Sequence, residues 1–518
     1  MARTLTIRYT SDTHGYLYPT NYADMQDRPM GLMKLAGEYP HDGNTLIIDG
    51  GDTIQGSPLT NLYQRLSPEE KAACLSDDTY GTHPIAAMMN LAGYQFVTLG
   101  NHDFNYGVDA LMDYLTNLDA LCLCANIRDK EGRLPIAPYA VHQLENGLRV
   151  GITGVTTHFV NLWEKPENLV GIKVHEAFLA AAAALEELKQ AGVDITVCIY
   201  HGGFENDLTT GELLSDTGEN QAYRICRELD FDILLTGHQH QAKAGLQLFG
   251  TYACQSPDRC RQYVRMDAEV SADGDVTAHS RLVEPGKPDE RLAAFLAPLD
   301  AQNAVFLDQP LGELDIPLLP GDHMEMAENG SLIANFFNQV QLEASGADLS
   351  VTSLANVVKG FNKQVTIRDV VATYVFPNTL QTLQVDRRVL KAGLERCAEY
   401  FELDEAGKLQ VGQSFLKPIV QHYNFDYLSG LEVTMDVRRP VGDRVTSMVY
   451  EGKELEEGRT LTLCMNNYRA TGTGGYPFYA KCRLVKDQPT EISQMIIEYI
   501  DRHKHVVVDK RKWLHVIY

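Results

Sequence analysis

The chain has 518 residues, 44% of them hydrophobic and 22% charged. That is a globular composition larger than one core usually organises, so two domains are expected and disordered and fibrous classes are excluded. Its 45 basic and 69 acidic residues give a formal charge of −24, a surface that repels phosphate backbones and argues against duplex nucleic acid as a partner. No apolar run approaches the ~18 residues of a membrane span, and Met1-Ala2-Arg3 leads into an apolar segment without a signal-peptide core, so a soluble, cytoplasmic protein with no membrane partner is expected, or an exported one if a signal peptide has been removed.

In chain order, apolar strand-like runs fall at 5–9, 45–48, 96–99, 150–155, 195–200 and 233–235, with helical periodicity at 31–39, 84–91, 108–115 and 174–191. Alternation of this kind predicts an α/β layered domain. The Ala-rich stretch at 174–191 carries Glu176, Glu186, Glu187 and Lys189, so it reads as an amphipathic helix and not a membrane segment. Gly and Pro punctuate 271–289, a helix over 291–305 follows, and further helices are expected at 330–344 and 491–502 before a strand-like tail. The expected division is a first domain over 1–285, a linker helix over 286–308 and a second domain over 309–518. Ten cysteines form no C-x-x-C, and Cys198 and Cys464 sit inside apolar runs, which suits buried thiols in a reducing compartment.

The informative residues stand where the apolar runs stop. Five runs end in Ser11-Asp12-Thr13-His14, Asp49-Gly50-Gly51-Asp52, Gly100-Asn101-His102-Asp103, His201-Gly202-Gly203 and Gly237-His238-Gln239-His240. Carboxyl ends of strands in open α/β sheets converge on a crevice, so these segments are expected to meet. Asp12 and His14, like His238 and His240, are two residues apart and in extended backbone would project to one side. Imidazoles and carboxylates without thiolates suit Zn or Mn, with Fe and Co as further options. Seven candidates, Asp12, His14, Asp52, Asn101, His201, His238 and His240, exceed one tetrahedral ion, so two divalent ions are expected. Asp52 is assigned as their bridge, with Asp12, His14 and His240 completing one ion and Asn101, His201 and His238 the other. Two such ions retain about +2 after two carboxylates, attract phosphate and acidify a shared water into a hydroxide nucleophile, which implies direct phosphoester hydrolysis.

These motifs resemble the calcineurin-like metallophosphoesterases, and the whole chain resembles the two-domain 5′-nucleotidase family, in particular its 2′,3′-cyclic-nucleotide 2′-phosphodiesterase/3′-nucleotidase branch. The resemblance implies a four-layer α/β/β/α metallophosphoesterase domain followed by a 5′-nucleotidase-type C-terminal α+β domain that holds a small-molecule nucleotide. It implies that His102 is the catalytic histidine. Asn105 stands where many 5′-nucleotidases have an Asp orienting that histidine, a departure that favours the cyclic-phosphodiesterase branch, as does Tyr423-Asn424-Phe425-Asp426. By the same resemblance Phe376 and Tyr468 sandwich the base and Asn378 contacts it, while Gly474 stands at a position where relatives commonly have an Asp. The implied activity is hydrolysis of 2′,3′-cyclic nucleotides and 3′-nucleotides, with a 5′-nucleotidase or nucleotide-sugar hydrolase as the alternative. A metal-holding nucleotide sensor without turnover is disfavoured by His102.

Overall fold

The computed structural model describes residues 2–518 except 24, 25, 38, 40, 41, 78, 215–217, 289, 377, 418 and 419. Pro377, beside Phe376, and Asp289, at the expected boundary, thus lie outside the described residues. The chain divides into two compact units, one up to Val305 and one from Phe306 onward, with the short segment at Tyr22 belonging to the second.

Two mixed sheets build the first unit. The seven-stranded sheet runs Val276–Val283, Tyr263–Val270, Arg3–Thr10, Thr45–Asp49, Phe96–Val97, Leu121–Leu123 and Ile136–Ala137. The six-stranded sheet runs Lys243–Leu248, Thr251–Gln255, Ile233–Thr236, Ile195–His201, Arg149–Thr156 and Tyr139–Gln143. Strands with apolar residues on alternate positions face each other across one shared core, in which Leu5, Ile7, Leu46 and Ile48 meet Val150, Ile152, Val197, Ile199 and Leu235. The second sheet's far face is covered by the helix Ala177–Gln190 through Ala177, Phe178, Ala181 and Leu185. Helices Pro84–Ala92 and Gly107–Thr116 bury Met88, Met89, Leu111 and Tyr114 in the first unit, which completes the four-layer α/β/β/α order.

Local sequence explains where these helices begin and end. Glu176, expected on the charged face of the Ala-rich helix, is instead its N-cap and accepts from Leu179 N. Pro84 occupies the first turn of its helix, and Gly93 closes it in the left-handed region at φ 79°. The expected helix over 31–39 contracts to Met33–Ala36, because the N–H groups of Leu32 and Met33 are bonded to the carbonyls of Tyr16 and Leu17. The helix Glu290–Leu307 carries the chain out of the first unit.

The second unit is built on a five-stranded sheet ordered Asp426–Ser429, Leu349–Ser353, Thr460–Asn466, Thr379–Asp386 and Leu484–Glu491. Its helices include Leu332–Ser345, capped by Ser331 and closed by Gly346, and Arg387–Ala398, capped by Asp386. The tail strand Leu514–Ile517 pairs in parallel with Glu432–Asp436. No helix among the described residues is long and apolar enough to cross a membrane.

Candidate functional site

Parallel pairing fixes where the polar strand ends meet. Arg3–Thr10 pairs with Thr45–Asp49, which pairs with Phe96–Val97, so the segments bearing Asp12, Asp52 and Asn101 leave one edge of the first sheet together. In the second sheet Ile195–His201 pairs in parallel with Ile233–Thr236, which brings His201 beside the segment bearing His238 and His240. The loops are then braided across the two sheets: Asp12 N donates to Gly51 O at 2.8 Å, His14 N to Asp52 O at 2.9 Å, and His238 N to the Asp12 carboxylate at 3.0 Å.

Two triads result, Asp12 with His14 and His240, and Asp52 with His201 and His238, each with its candidate ligand atoms within 4.8 Å of one another. His14 and His201 are oriented by the backbone. Their Nδ1 atoms donate to Gln55 O at 2.9 Å and Gly50 O at 2.7 Å, which fixes the tautomer and leaves Nε2 to face the centre. His14 Nε2 lies 3.1 Å from His240 Nε2, and two ring nitrogens that close are attractive only with a proton or a cation between them. His201 Nε2 lies 3.2 Å from Asp52 Oδ2 and 3.3 Å from Asn101 Oδ1. All seven expected ligands therefore gather, and their N and O donor set fits divalent ions of the Zn and Mn type.

Electrostatics in the buried centre follow from the pairing. Burial works against the Asp12 carboxylate, yet the hydrogen bond and charge of His240, with His201, hold it down at about 2. Burial lowers His14 to about 4. For His201 burial is again the largest influence, but the charge and hydrogen bond of Asp52 overcome it and raise the ring to about 10. Asp12 and Asp52 feel each other's charge, so the two triads form one electrostatic unit.

One expectation about local geometry is wrong. Extended backbone does not place Asp12 and His14, or His238 and His240, on a shared side. Asp12, His14, Asp52, His238 and His240 instead all have positive φ, between 49° and 70°. The chain turns sharply at each strand end, and left-handed backbone aims the side chains. Such strain in non-glycine residues persists where surrounding structure over-determines it, and it concentrates at functional sites.

Sequence reasoning passed over several residues that hold the centre together. Asp103, fully buried, accepts from the N–H groups of Asp52, Thr53, Ile54 and Gly100 at 2.8–3.0 Å and so closes two ligand loops over one carboxylate. Glu219 accepts from His238 Nε2 at 2.8 Å, leaving Nδ1 as that ring's atom for an ion, and Trp163 stacks on the same ring at 5.6 Å. Asp103 sits inside a visible motif without having been given a role, whereas no local pattern marks Glu219 or Trp163.

His102 is buried beside the triads, its ring 5.3 Å from that of His14, its N–H donating to Asp52 Oδ1 at 2.7 Å, and its Nδ1 2.7 Å from Asn105 Oδ1. In the second unit Phe376 is half-buried and Tyr468 is 37% exposed. Tyr423 meets Phe376 at 6.4 Å and acts electrostatically on the Tyr468 hydroxyl. The Asn378 side chain is hydrogen-bonded to Tyr374. Gly474, in the left-handed region, has the Asn424 amide and Arg469 guanidinium where a Cβ would stand, so a side chain there must displace them.

A four-layer unit with buried imidazoles and carboxylates at its joined strand ends defines a phosphoesterase of the calcineurin-like class, and residues 5–242 match that family model, calcineurin-like phosphoesterase. Residues 318–481 match the 5′-nucleotidase C-terminal domain. The chain is 32% identical, over all of both chains and with a TM-score of 0.65, to a Staphylococcus aureus protein described as a candidate 5′-nucleotidase, solved in complex with alpha-ketoglutarate. It therefore belongs to the two-domain 5′-nucleotidase family of calcineurin-like phosphoesterases, which are hydrolases. Among curated relatives it is 25% identical to the trifunctional nucleotide phosphoesterase protein YfkN of Bacillus subtilis, with 97% of this chain aligned to 38% of that one. The chain thus spans about two fifths of that relative's length. It is 24% identical to a 2′,3′-cyclic-nucleotide 2′-phosphodiesterase/3′-nucleotidase of Salmonella typhimurium, over 90% of this chain and 81% of the other.

Proposed function

We propose that the chain hydrolyses 2′,3′-cyclic nucleotides and 3′-nucleotides, releasing phosphate from the latter. The observation that carries this reading is the pair of three-ligand groups beside His102, whose Nδ1 meets an amide, Asn105, and not a carboxylate. Asp12, His14 and His240 would hold one divalent ion and Asn101, His201 and His238 a second, with Asp52 the carboxylate available to both; such ions would supply charge neutralisation for phosphoryl oxygens and acidity for water. Asp103 holds the Asp52 and Asn101 loops in place, so the ligand set is pre-organised.

His102 is the proton donor. With Nδ1–H donating to Asn105 Oδ1, the ring's other nitrogen, Nε2, delivers a proton to the leaving oxygen as the P–O bond breaks, while water forms the new bond to phosphorus and its proton passes to solvent. Phe376 and Tyr468 hold the base by stacking, on the order of 1–3 kcal/mol per base and tolerant of base identity, with Asn378 on the base edge. Ten free cysteines, nine of them buried, suit a reducing compartment.

Phosphate release from 2′,3′-cAMP, 3′-AMP, 5′-AMP and a nucleotide sugar, each with Mn or Zn, tests the reading. Turnover of the first two substrates is expected, and Phe376→Ala should raise KM with little change in kcat. A large preference for 5′-AMP would move the assignment to 5′-nucleotidase, the second reading favoured by the Staphylococcus aureus relative.

A further inference from the structure

Behind Asn105 lies a carboxylate whose own contacts decide which way the amide faces. Asn105 Nδ2 donates to Glu164 Oε2 at 2.5 Å. The opposite oxygen, Glu164 Oε1, accepts from Asn168 Nδ2 at 2.8 Å and from Lys165 N at 2.7 Å. Asn168 Nδ2 also donates to Asn105 O at 2.9 Å, which ties the two segments together. Glu164 is thus an acceptor facing donors on both sides. An amide can present either its oxygen or its NH2 to a neighbour, and only the network around it settles the choice. Here the NH2 group of Asn105 must face Glu164, so its oxygen must face His102.

We propose that Glu164 is a positioning residue for His102: it locks the Asn105 amide with Oδ1 toward the imidazole, so that Nδ1 keeps its hydrogen and Nε2 is the atom that exchanges a proton with substrate. This rests on the reading that His102 serves the leaving group. A flipped Asn105 would put NH2 against Nδ1, forcing that nitrogen to accept and moving the ring's hydrogen to Nε2. Direct carboxylate contact at position 105 is thus replaced by a relay in which the amide carries orientation and Glu164 carries the charge.

Glu164→Gln is the discriminating change because it keeps size and shape. Asn168 Nδ2 and Lys165 N both require an acceptor where Glu164 Oε1 stands, so the introduced glutamine places its oxygen there and its NH2 toward Asn105. Asn105 then flips, and His102 changes tautomer. The double variant Asn105→Asp/Glu164→Gln restores the pattern, since the introduced aspartate accepts both from His102 Nδ1 and from the NH2 of the introduced glutamine.

Two readouts test this on the full-length chain. In the metal-free, 15N-histidine-labelled protein, His102, assigned by its loss in His102→Ala, should carry its hydrogen on Nδ1 in the wild type, on Nε2 in Glu164→Gln, and on Nδ1 again in the double variant. In the metal-loaded enzyme, kcat on 3′-AMP should fall about 10-fold in Glu164→Gln, part of the 10²–10⁴ that a positioned acid contributes. The loss should be smaller on 4-nitrophenyl phosphate, whose leaving group needs no proton, and should be mostly recovered in the double variant. An unchanged tautomer in Glu164→Gln, equal losses on the two substrates, or no recovery in the double variant would overturn the proposal. A wild-type chain that hydrolyses no phosphoester would defeat the assigned function instead, while the tautomer readout still decides the role of Glu164.

Discussion

Replacing Arg469 with Met should destabilise the second unit by several kcal/mol. Arg469 is 1% exposed; its Nε lies 3.0 Å from Asp426 Oδ1 and 2.9 Å from Oδ2. Its Nη1 donates to Thr473 O at 2.8 Å and its Nη2 to Tyr423 O at 3.2 Å, while the guanidinium stacks on Tyr476 at 4.0 Å. The side chain therefore ties the strand end bearing Tyr468 to the Tyr423 segment. Methionine refills the volume but leaves the Asp426 carboxylate buried without its cation, a loss of about 3–5 kcal/mol for one-sided removal of a buried pair. At roughly 2–4 °C per kcal/mol for a unit of this size, its melting transition should fall by about 6–20 °C. Burial already raises the Asp426 carboxyl above its ordinary range, so the deficit should narrow as pH falls and the unpaired group takes up a proton. Scanning calorimetry of the full chain measures this, alongside Arg469→Met/Asp426→Leu, which removes both charges and should recover most of the loss. A single variant within about 1 kcal/mol of wild type, or a double variant worse than the single, would refute the assignment of this pair as the clasp.

Further consequences follow from other buried groups. Burial raises the Asp49 carboxyl from near 3.8 to about 7. The folded chain thus keeps a proton that the unfolded chain has lost, and stability should fall between about pH 4 and 7 by on the order of 4 kcal/mol. Asp49→Asn should flatten that part of the stability curve in denaturant titrations, and identical pH slopes in both proteins would contradict the cause given. Asp52→Ala should lose bound metal by elemental analysis, because two cations would repel across a short gap without their shared carboxylate, whereas His102→Ala should keep it; empty sites in His102→Ala would reassign that residue. Gly474→Asp should destabilise the second unit by about 1–3 kcal/mol, since both the backbone angle and the space are wrong for a side chain; a neutral effect on thermal unfolding would show that Asn424 and Arg469 yield easily.

Much of the first unit is legible in the sequence because its signals are local. Apolar runs of strand length stop at Asp12, Asp52, Asn101, His201 and His238, and a polar ligand in that position contradicts the run before it. The strands 243–248, 251–255, 263–270 and 276–283 carry no such contradiction: Val276–Val283 is an edge strand with no fully buried residue, so its periodicity blurs into a loop. The left-handed backbone at five ligands was equally hidden: Asp and His tolerate positive φ better than most side chains, but nothing local in the sequence separates these positions from extended ones.

The amino-acid sequence alone determined the chemistry available to this protein, because an imidazole or a carboxylate binds ions and protons wherever it is placed. Tertiary structure decided which of those groups act together. Glu164 lies 59 residues from Asn105 and Glu219 lies 19 from His238, and neither has a spacing that marks it. Their roles arise from hydrogen-bond directions that exist only once the chain has folded, since a donor must face an acceptor in space and no periodicity along the sequence encodes that meeting.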